Sequence, residues 1–208
     1  MDIILEKLFG SSARVKIIRL FLFNPEVLFT SSTISRRAKV ALPSVRREIA
    51  LLKSINLIKQ KEVVVTEVIK LKKGKIKNKK KKVQGITLNP LFPFLQAFRN
   101  LILSVAPVDR KKLIKDINGV GRVKLMILSG VFTQNSNSRT DLFLVGNAIK
   151  EGKLDRVVKN VEAEIGKEIV YAVLSTDDFL YRLGMYDKFV RDVLDYPHEK
   201  VINKLNIT

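Results

Sequence analysis

Eight lysines, Lys72, Lys73, Lys75, Lys77, Lys79, Lys80, Lys81 and Lys82, fall within eleven residues, and no folded core can take them in. Like charges at that density repel one another and gain nothing from being brought together, so the run must project into solvent and await an outside neutraliser. On either side, residues 61–71 and 83–88 are rich in Val, Ile and Thr and alternate imperfectly, as strands do. With Gly74 and Asn78 inside it, the run reads as a long turn joining two strands into a basic hairpin. A polyanion is the partner such a hairpin calls for.

The imbalance extends beyond the run. Residues 1–88 hold 21 Lys and Arg against 6 Asp and Glu, a net of +15, whereas residues 89–208 hold 18 against 14, a net of +4; together they give the chain's +19. An apolar content of 46% excludes a wholly disordered chain, because there is enough hydrophobic surface to offset chain entropy. The absence of cysteine excludes disulfides, thiolate metal sites and cysteine nucleophiles. The opening MDIILEKLFGSSARVK puts acidic residues where a signal peptide needs positive charge. The most apolar windows, 17–23 and 92–105, are short or interrupted by Arg99, below a membrane span. The expectation is a soluble, cytoplasmic protein of two domains with no membrane partner.

Ahead of the hairpin the periodicity is helical. Ile3, Ile4, Leu5 and Leu8 precede Gly10, which suits a short helix ended by a glycine. Ser11 or Ser12 then caps a helix over 13–23, whose apolar residues surround it and place it at the centre of its domain. Asn24-Pro25 stops it. Thr30, Ser31, Ser32 and Thr33 offer caps for a short helix through Val40, with Ile34 and Ala38 inward and Arg36 and Arg37 outward. Pro43 opens the next helix. There Val45, Ile49 and Leu52 form the buried stripe and Ser44, Arg46, Arg47 and Lys53 face solvent, before Asn56 ends it.

Residues 7–60 resemble the winged helix-turn-helix regulators, which carry a pattern L-F-G-S-x-x-R-x-K-I-I-R-L-F, here Leu8 to Phe21, and a recognition helix like Pro43-Ser-Val-Arg-Arg-Glu-Ile-Ala-Leu-Leu-Lys53. The resemblance implies that Ser44, Arg46 and Arg47 reach base edges in a major groove, with Lys53 on the same helix. It implies that Arg36 and Arg37 touch phosphate. The lysine-rich wing adds affinity with little sequence preference, since an ammonium is a point charge without a planar fork. A wing disordered until it meets DNA is compatible with this.

Beyond Asn89-Pro90, residues 91–105 read as one amphipathic helix with Phe94, Leu95, Phe98, Leu101 and Ile102 on its apolar side, and 109–117 as another. Gly119 and Gly121 mark a boundary. A buried strand over 123–128 leads to Ser129-Gly130, then a polar loop over 133–140 and a strand over 141–146. A helix over 154–165, a strand over 168–174 and a helix over 176–183, capped by Ser175 or Thr176, follow. His198 lacks any partner histidine or cysteine and reads as a surface residue.

This order resembles the minimal nucleotidyltransferase domain over residues 119–196. In that family a strand ends in Gly-Ser or Gly-Gly, an Asp-x-Asp follows on the next strand, and a later strand brings a third carboxylate. Together they hold two divalent ions on a triphosphate. The chain departs from the pattern. Val131 follows Gly130, Phe143 stands where the second Asp belongs, and Val170 aligns with the third carboxylate, with Glu168 nearby. The loop has Gln134-Asn135-Ser136-Asn137-Ser138 in place of Arg-Gly. Ser129, Gly130 and Asp141 are left as a degenerate nucleotide site, and one carboxylate cannot hold two metals.

The expected fold class is therefore α+β: a winged helix-turn-helix over 1–88, a helical linker over 89–118 and a small mixed α/β nucleotidyltransferase-like domain over 119–208. The expected function is sequence-specific binding of double-stranded DNA as a transcriptional regulator. No cofactor, metal or catalytic residue is expected, and the second domain serves dimerisation or ligand sensing. A homodimer is expected because one recognition helix reads few base pairs, with residues 91–105 as the contact. Two rivals stand beside this reading: an active nucleotidyltransferase using Asp141 and Glu168, and an antitoxin-like partner-binding protein.

Overall fold

The computed structural model of the chain describes residues 2–70, 76–103, 108–135 and 137–207, and the side chains at these positions except 2–3, 63–70 and 76–81. The architecture is mixed α+β, in two compact units: residues 1–105 with 165–167, and residues 106–164 with 168–208. The linker expected over 89–118 is thereby divided, its first helix belonging to one unit and its second to the other.

The first unit begins with α1 (Asp2–Phe9), α2 (Ser12–Phe23), α3 (Ser31–Ala38) and α4 (Leu42–Ser54). Gly10 joins α1 to α2 at φ +72°, a left-handed conformation that glycine adopts without a Cβ penalty. Ser11 Oγ accepts from the amide of Arg14 at 3.2 Å, and Thr30 Oγ1 from that of Thr33 at 3.1 Å, so each hydroxyl satisfies an amide with no partner inside its helix. The third helix stops short of Val40 because Lys39 turns left-handed at φ +51° and the amide of Val40 returns to the Ser35 carbonyl. Val15, Ile17, Ile18, Leu20, Phe21 and Leu22 of α2 are all buried, and all of these but Val15 form the unit's centre with Ile34, Val45, Leu52 and Leu57.

β1 (Ile58–Lys70) and β2 (Ile76–Leu88) pair antiparallel in one unbroken register, from Ile58 opposite Leu88 to Lys70 opposite Ile76. The second strand is longer than the sequence suggests. The partner strand starts at Ile76 and not at Val83, so Asn78, Lys77 and Lys79–Lys82 are strand residues, Lys79 opposite Glu67 and Lys81 opposite Val65. A valine-rich strand supplies the backbone partners that lysine's own weak strand preference would not. Gly74, Lys72, Lys73 and Lys75 lie outside the described residues. Among the described side chains of the hairpin, Ile58, Ile86 and Leu88 at its root enter the core. Phe29 adds an isolated bridge there, exchanging both backbone bonds with Ile86 at 2.9 and 2.8 Å.

α5 (Leu95–Leu103) begins four residues later than the helix expected over 91–105. Asn89 Oδ1 captures the amide of Leu91 at 3.1 Å, and Pro93 pushes Phe92 out of helical backbone, so the first residues form turns. Of the five residues assigned to its apolar side, only Ile102 is fully buried; Leu95 and Phe98 are half-buried, and Phe94 and Leu101 are exposed. Its expected end at Val105 lies outside the described residues.

The second unit opens with α6 (Arg110–Asn118), capped by Asp109, whose carboxylate accepts from the amides of Lys111 and Lys112. Its sheet has the order β5-β4-β3-β6, built from β3 (Arg122–Leu128), β4 (Leu142–Asn147), β5 (Tyr171–Leu174) and β6 (Glu199–Asn203). β4 runs antiparallel to β3 and parallel to β5, and β6 closes the other edge antiparallel to β3. α7 (Glu151–Ile165), α8 (Thr176–Gly184) and α9 (Lys188–Asp195) complete it. The strand expected over 168–174 shrinks to four residues because the amides of Ile169 and Val170 bond side chains, Glu162 Oε1 and Asp141 Oδ2, and not a neighbouring strand. α9 and β6 went unread in the sequence. Leu125, Ile127, Phe143 and Val145 pack on Phe179 of α8 and on Val190 and Val193 of α9. The alternate residues Met126, Leu128, Leu142 and Leu144 are buried too, so both faces of the sheet are covered.

Candidate functional site

The first unit gathers its charge around α4. The helix packs on α2, α3 and the start of β1. Val45 and Leu52 hold it to the core, and between them, where an apolar residue would serve, stands Glu48, its side chain only 3% exposed. Arg14 Nε donates to Glu48 Oε2 at 2.7 Å and Arg14 Nη1 donates to the Phe9 carbonyl at 2.5 Å. Ile49, expected in the stripe, is only half-buried. Glu48 is the only acid of α4, so the outward side of the helix carries no carboxylate.

That outward side bears Arg46, Arg47 and Lys53, all exposed, with Ser44 half-buried in the first turn. Lys53 Nζ donates to Gln60 Oε1 at 2.9 Å, joining the last turn of α4 to the root of β1. Pro43 lies in the first turn, and Ala41 as N-cap offers no side-chain oxygen to its amides. Arg36 on α3 is exposed. Arg37 is half-buried, its guanidinium 5.6 Å from the ring centroid of Phe29, where the π face attracts it. On the hairpin, Lys82 is exposed and pairs with Glu62 at 3.4 Å. For Lys77, Lys79, Lys80 and Lys81 the backbone alone is described, and it lies on β2.

Arg14 and Glu48 are the residues that the sequence reading passed over. The spacing held a signal for them: Glu48 falls three residues after Val45 and four before Leu52, on the stripe that a buried helix face requires.

In the second unit, Ser129, Gly130 and Asp141 do come together. β3 ends at Leu128 and Gly130–Phe132 makes one 3₁₀ turn, with Gly130 at φ +55°. Asp141, buried just before β4, receives the amide of Val131 on Oδ1 at 2.7 Å and that of Val170 on Oδ2 at 2.9 Å. Ser129 Oγ donates to the Thr140 carbonyl, and the Ser129 amide to the Asp141 carbonyl at 2.9 Å. A Cβ on Gly130 would stand 2.1 Å from Asp141 Oδ1, so only glycine fits against the carboxylate. Both oxygens of Asp141 are thus spent on backbone amides.

Phe143, on the same face of β4 as position 141, is buried against Phe179 and Phe189 at ring separations of 6.0 and 5.9 Å. Val170 and Glu168 are exposed. Among the described residues no group of three or more His, Cys, Asp or Glu is placed to hold a metal ion, and no helix is long and apolar enough to cross a membrane. The imidazole Nδ1 of His198 lies 2.8 Å from the Tyr196 carbonyl. No family model, curated protein or solved structure matches the chain.

Proposed function

We propose that this chain is a sequence-specific double-stranded DNA-binding transcriptional regulator of the winged helix-turn-helix kind. The observation that carries the reading is the outward side of α4, which presents Arg46, Arg47 and Lys53 with no carboxylate and adjoins the root of an antiparallel hairpin whose second strand holds the lysines. An α-helix fits the major groove, and arginine to guanine is the commonest specific base contact. Arg46 and Arg47 read base edges in this proposal, with Ser44 and Lys53 on the same helix. Arg36, Arg37 and the wing lysines Lys72, Lys73, Lys75, Lys77 and Lys79–Lys82 meet phosphates.

The second unit, in the same reading, is a nucleotidyltransferase-like domain without transfer activity, kept for dimerisation or ligand sensing. The engagement of Asp141 with two backbone amides and the burial of Phe143 support it.

The test is selection of bound fragments from a random duplex pool at two salt concentrations. Enriched palindromes that Arg46→Glu/Arg47→Glu no longer retains are the expected result. Salt-sensitive retention without enrichment, or enrichment indifferent to that double substitution, overturns the proposal.

A further inference from the structure

The segment 91–103 sends part of its apolar surface inward and leaves the rest without cover. Phe92 and Ile102 are buried, and Leu95, Phe98 and Leu103 pack on the same core. Leu91, Phe94 and Leu101 stay outside at 79%, 64% and 45% exposure. Ala97 and Leu101 are exposed one turn apart on α5, and Phe94 directly precedes the helix, its carbonyl accepting from the amide of Phe98 at 2.9 Å. The ring of Phe98 meets that of Phe9 edge-on at 6.0 Å, which brings the end of α1 alongside; there Leu8 and, one turn earlier, Ile4 are exposed at 65% and 66%.

This surface is also uncharged on α5, in a chain of net +19. The helix has one ionisable residue, Arg99, and its Nη2 donates to the Leu22 carbonyl at 3.0 Å. The polar residues beside the strip, Gln96 and Asn100, hydrogen-bond to each other at 3.0 Å.

We infer that the apolar strip of Leu91, Phe94 and Leu101, continued by Leu8 and Ile4 on α1, is where a second copy of this chain docks. A two-fold contact sets each residue near its own mate, so a face carrying net charge would repel itself. On α5 the face is neutral, and on α1, where Lys7 is exposed beside Leu8, Asp2 and Glu6 of the same helix offset its charge. In a chain this basic, such an apolar face is the one suited to meet its own copy. The area is adequate: five side chains at these exposures present on the order of 500 Å², toward the upper end for a monomer's largest apolar patch. Doubled across the two-fold, that gives about 1,000 Å², the lower bound for a specific interface. The inference deepens the DNA-binding reading, and rests on it for its purpose, by naming the face that brings two recognition helices together.

Sedimentation equilibrium of the full chain without DNA tests it. The wild type is expected at twice 23.6 kDa and Phe94→Glu/Leu101→Glu at 23.6 kDa, with its circular dichroism unchanged. The chain has no cysteine, so Ala97→Cys should form a covalent dimer under a mild oxidant, while Tyr181→Cys, exposed on α8, should not. A wild type that stays at 23.6 kDa, a dimer that survives the double glutamate, or cross-linking at position 181 in place of 97 overturns the inference. Duplex binding is scored separately, and the monomeric variant should lose affinity for a selected palindrome on the order of a hundredfold. A dimer at the expected mass that retains no duplex supports this face and removes the regulator reading instead.

Discussion

Arg14 Nε stands 2.7 Å from Glu48 Oε2, while the same guanidinium reaches the Phe9 carbonyl at 2.5 Å, so one side chain joins the end of α1, the start of α2 and the inner side of α4. The pair does two things at once. It satisfies a carboxylate that would otherwise lie buried and uncompensated, and it takes the only acid of α4 away from the side that carries Arg46 and Arg47. Glu48→Ala leaves a half-buried cation without its partner and should cost about 2–4 kcal/mol. Replacing both residues by Met should cost less than the single change, because no charge is then stranded. Urea unfolding midpoints decide it; a single variant as stable as the wild type would show that the pair contributes nothing.

Asp141 yields a prediction of the same kind in the second unit. Its oxygens hold the amides of Val131 and Val170, and Gly130 is pressed against one of them. Asp141→Ala strands two amides and should cost about 2–4 kcal/mol, at roughly 1–2 for each unsatisfied group. Gly130→Ala should destabilise as well, through its φ of +55° and the clash with the carboxylate. Thermal unfolding of both variants is the measurement. If Asp141 were a free metal ligand, its removal would leave the melting temperature unchanged or higher.

These contacts show where the sequence was legible and where it was not. The helices of the first unit could be read because caps and apolar spacing act locally: Ser11, Thr30, Pro43 and the stripe through Val45 and Leu52 each mark a position without help from distant residues. The lysine strand could not. Lys77 and Lys79–Lys82 disfavour a strand by composition, and their pairing is supplied by residues 64–69 across the hairpin, a non-local term. Glu48 was passed over although it falls on the stripe, since a buried acid needs the partner that Arg14 supplies from 34 positions away. β6 carries five residues, too few for alternation to register, whereas β5 was expected over 168–174 and keeps four residues because side chains take the amides of Ile169 and Val170. Ser129, Gly130 and Asp141 were singled out by motif, and the structure brings them together with both carboxylate oxygens committed to backbone.

Phe143 allows a direct trial of the carboxylate pattern. Restoring the missing acid as Phe143→Asp would set a carboxylate among the apolar side chains of Leu125, Ile127, Phe179 and Val190, where a charge is costly to bury. Loss of a buried phenylalanine alone costs about 3–5 kcal/mol, and burying the acid adds to that. The variant should lose the folded second unit, seen as loss of near-ultraviolet circular dichroism. It should transfer no label from nucleoside triphosphates with Mg²⁺ or Mn²⁺. A folded variant that gains label transfer would favour the rival enzyme reading over a site without transfer activity.

Under the proposed function, the hairpin and α4 should separate by their response to salt. If the lysines on β2 meet phosphate as proposed, they do so as point charges, so changing Lys79, Lys80, Lys81 and Lys82 to Gln should weaken binding to every duplex alike. Every phosphate that the protein no longer neutralises takes about 0.9 off the slope of log affinity against log salt, so removing these four ammonium groups should flatten it by roughly 3 to 4. Arg46→Ala should behave otherwise, costing about 1–3 kcal/mol on the selected duplex and little on a scrambled one. Titrations of both duplexes between low and physiological salt measure both effects. If the lysine variant alters preference between the two duplexes while Arg46→Ala weakens both equally, the assignment of base reading to α4 and phosphate binding to the hairpin must be reversed.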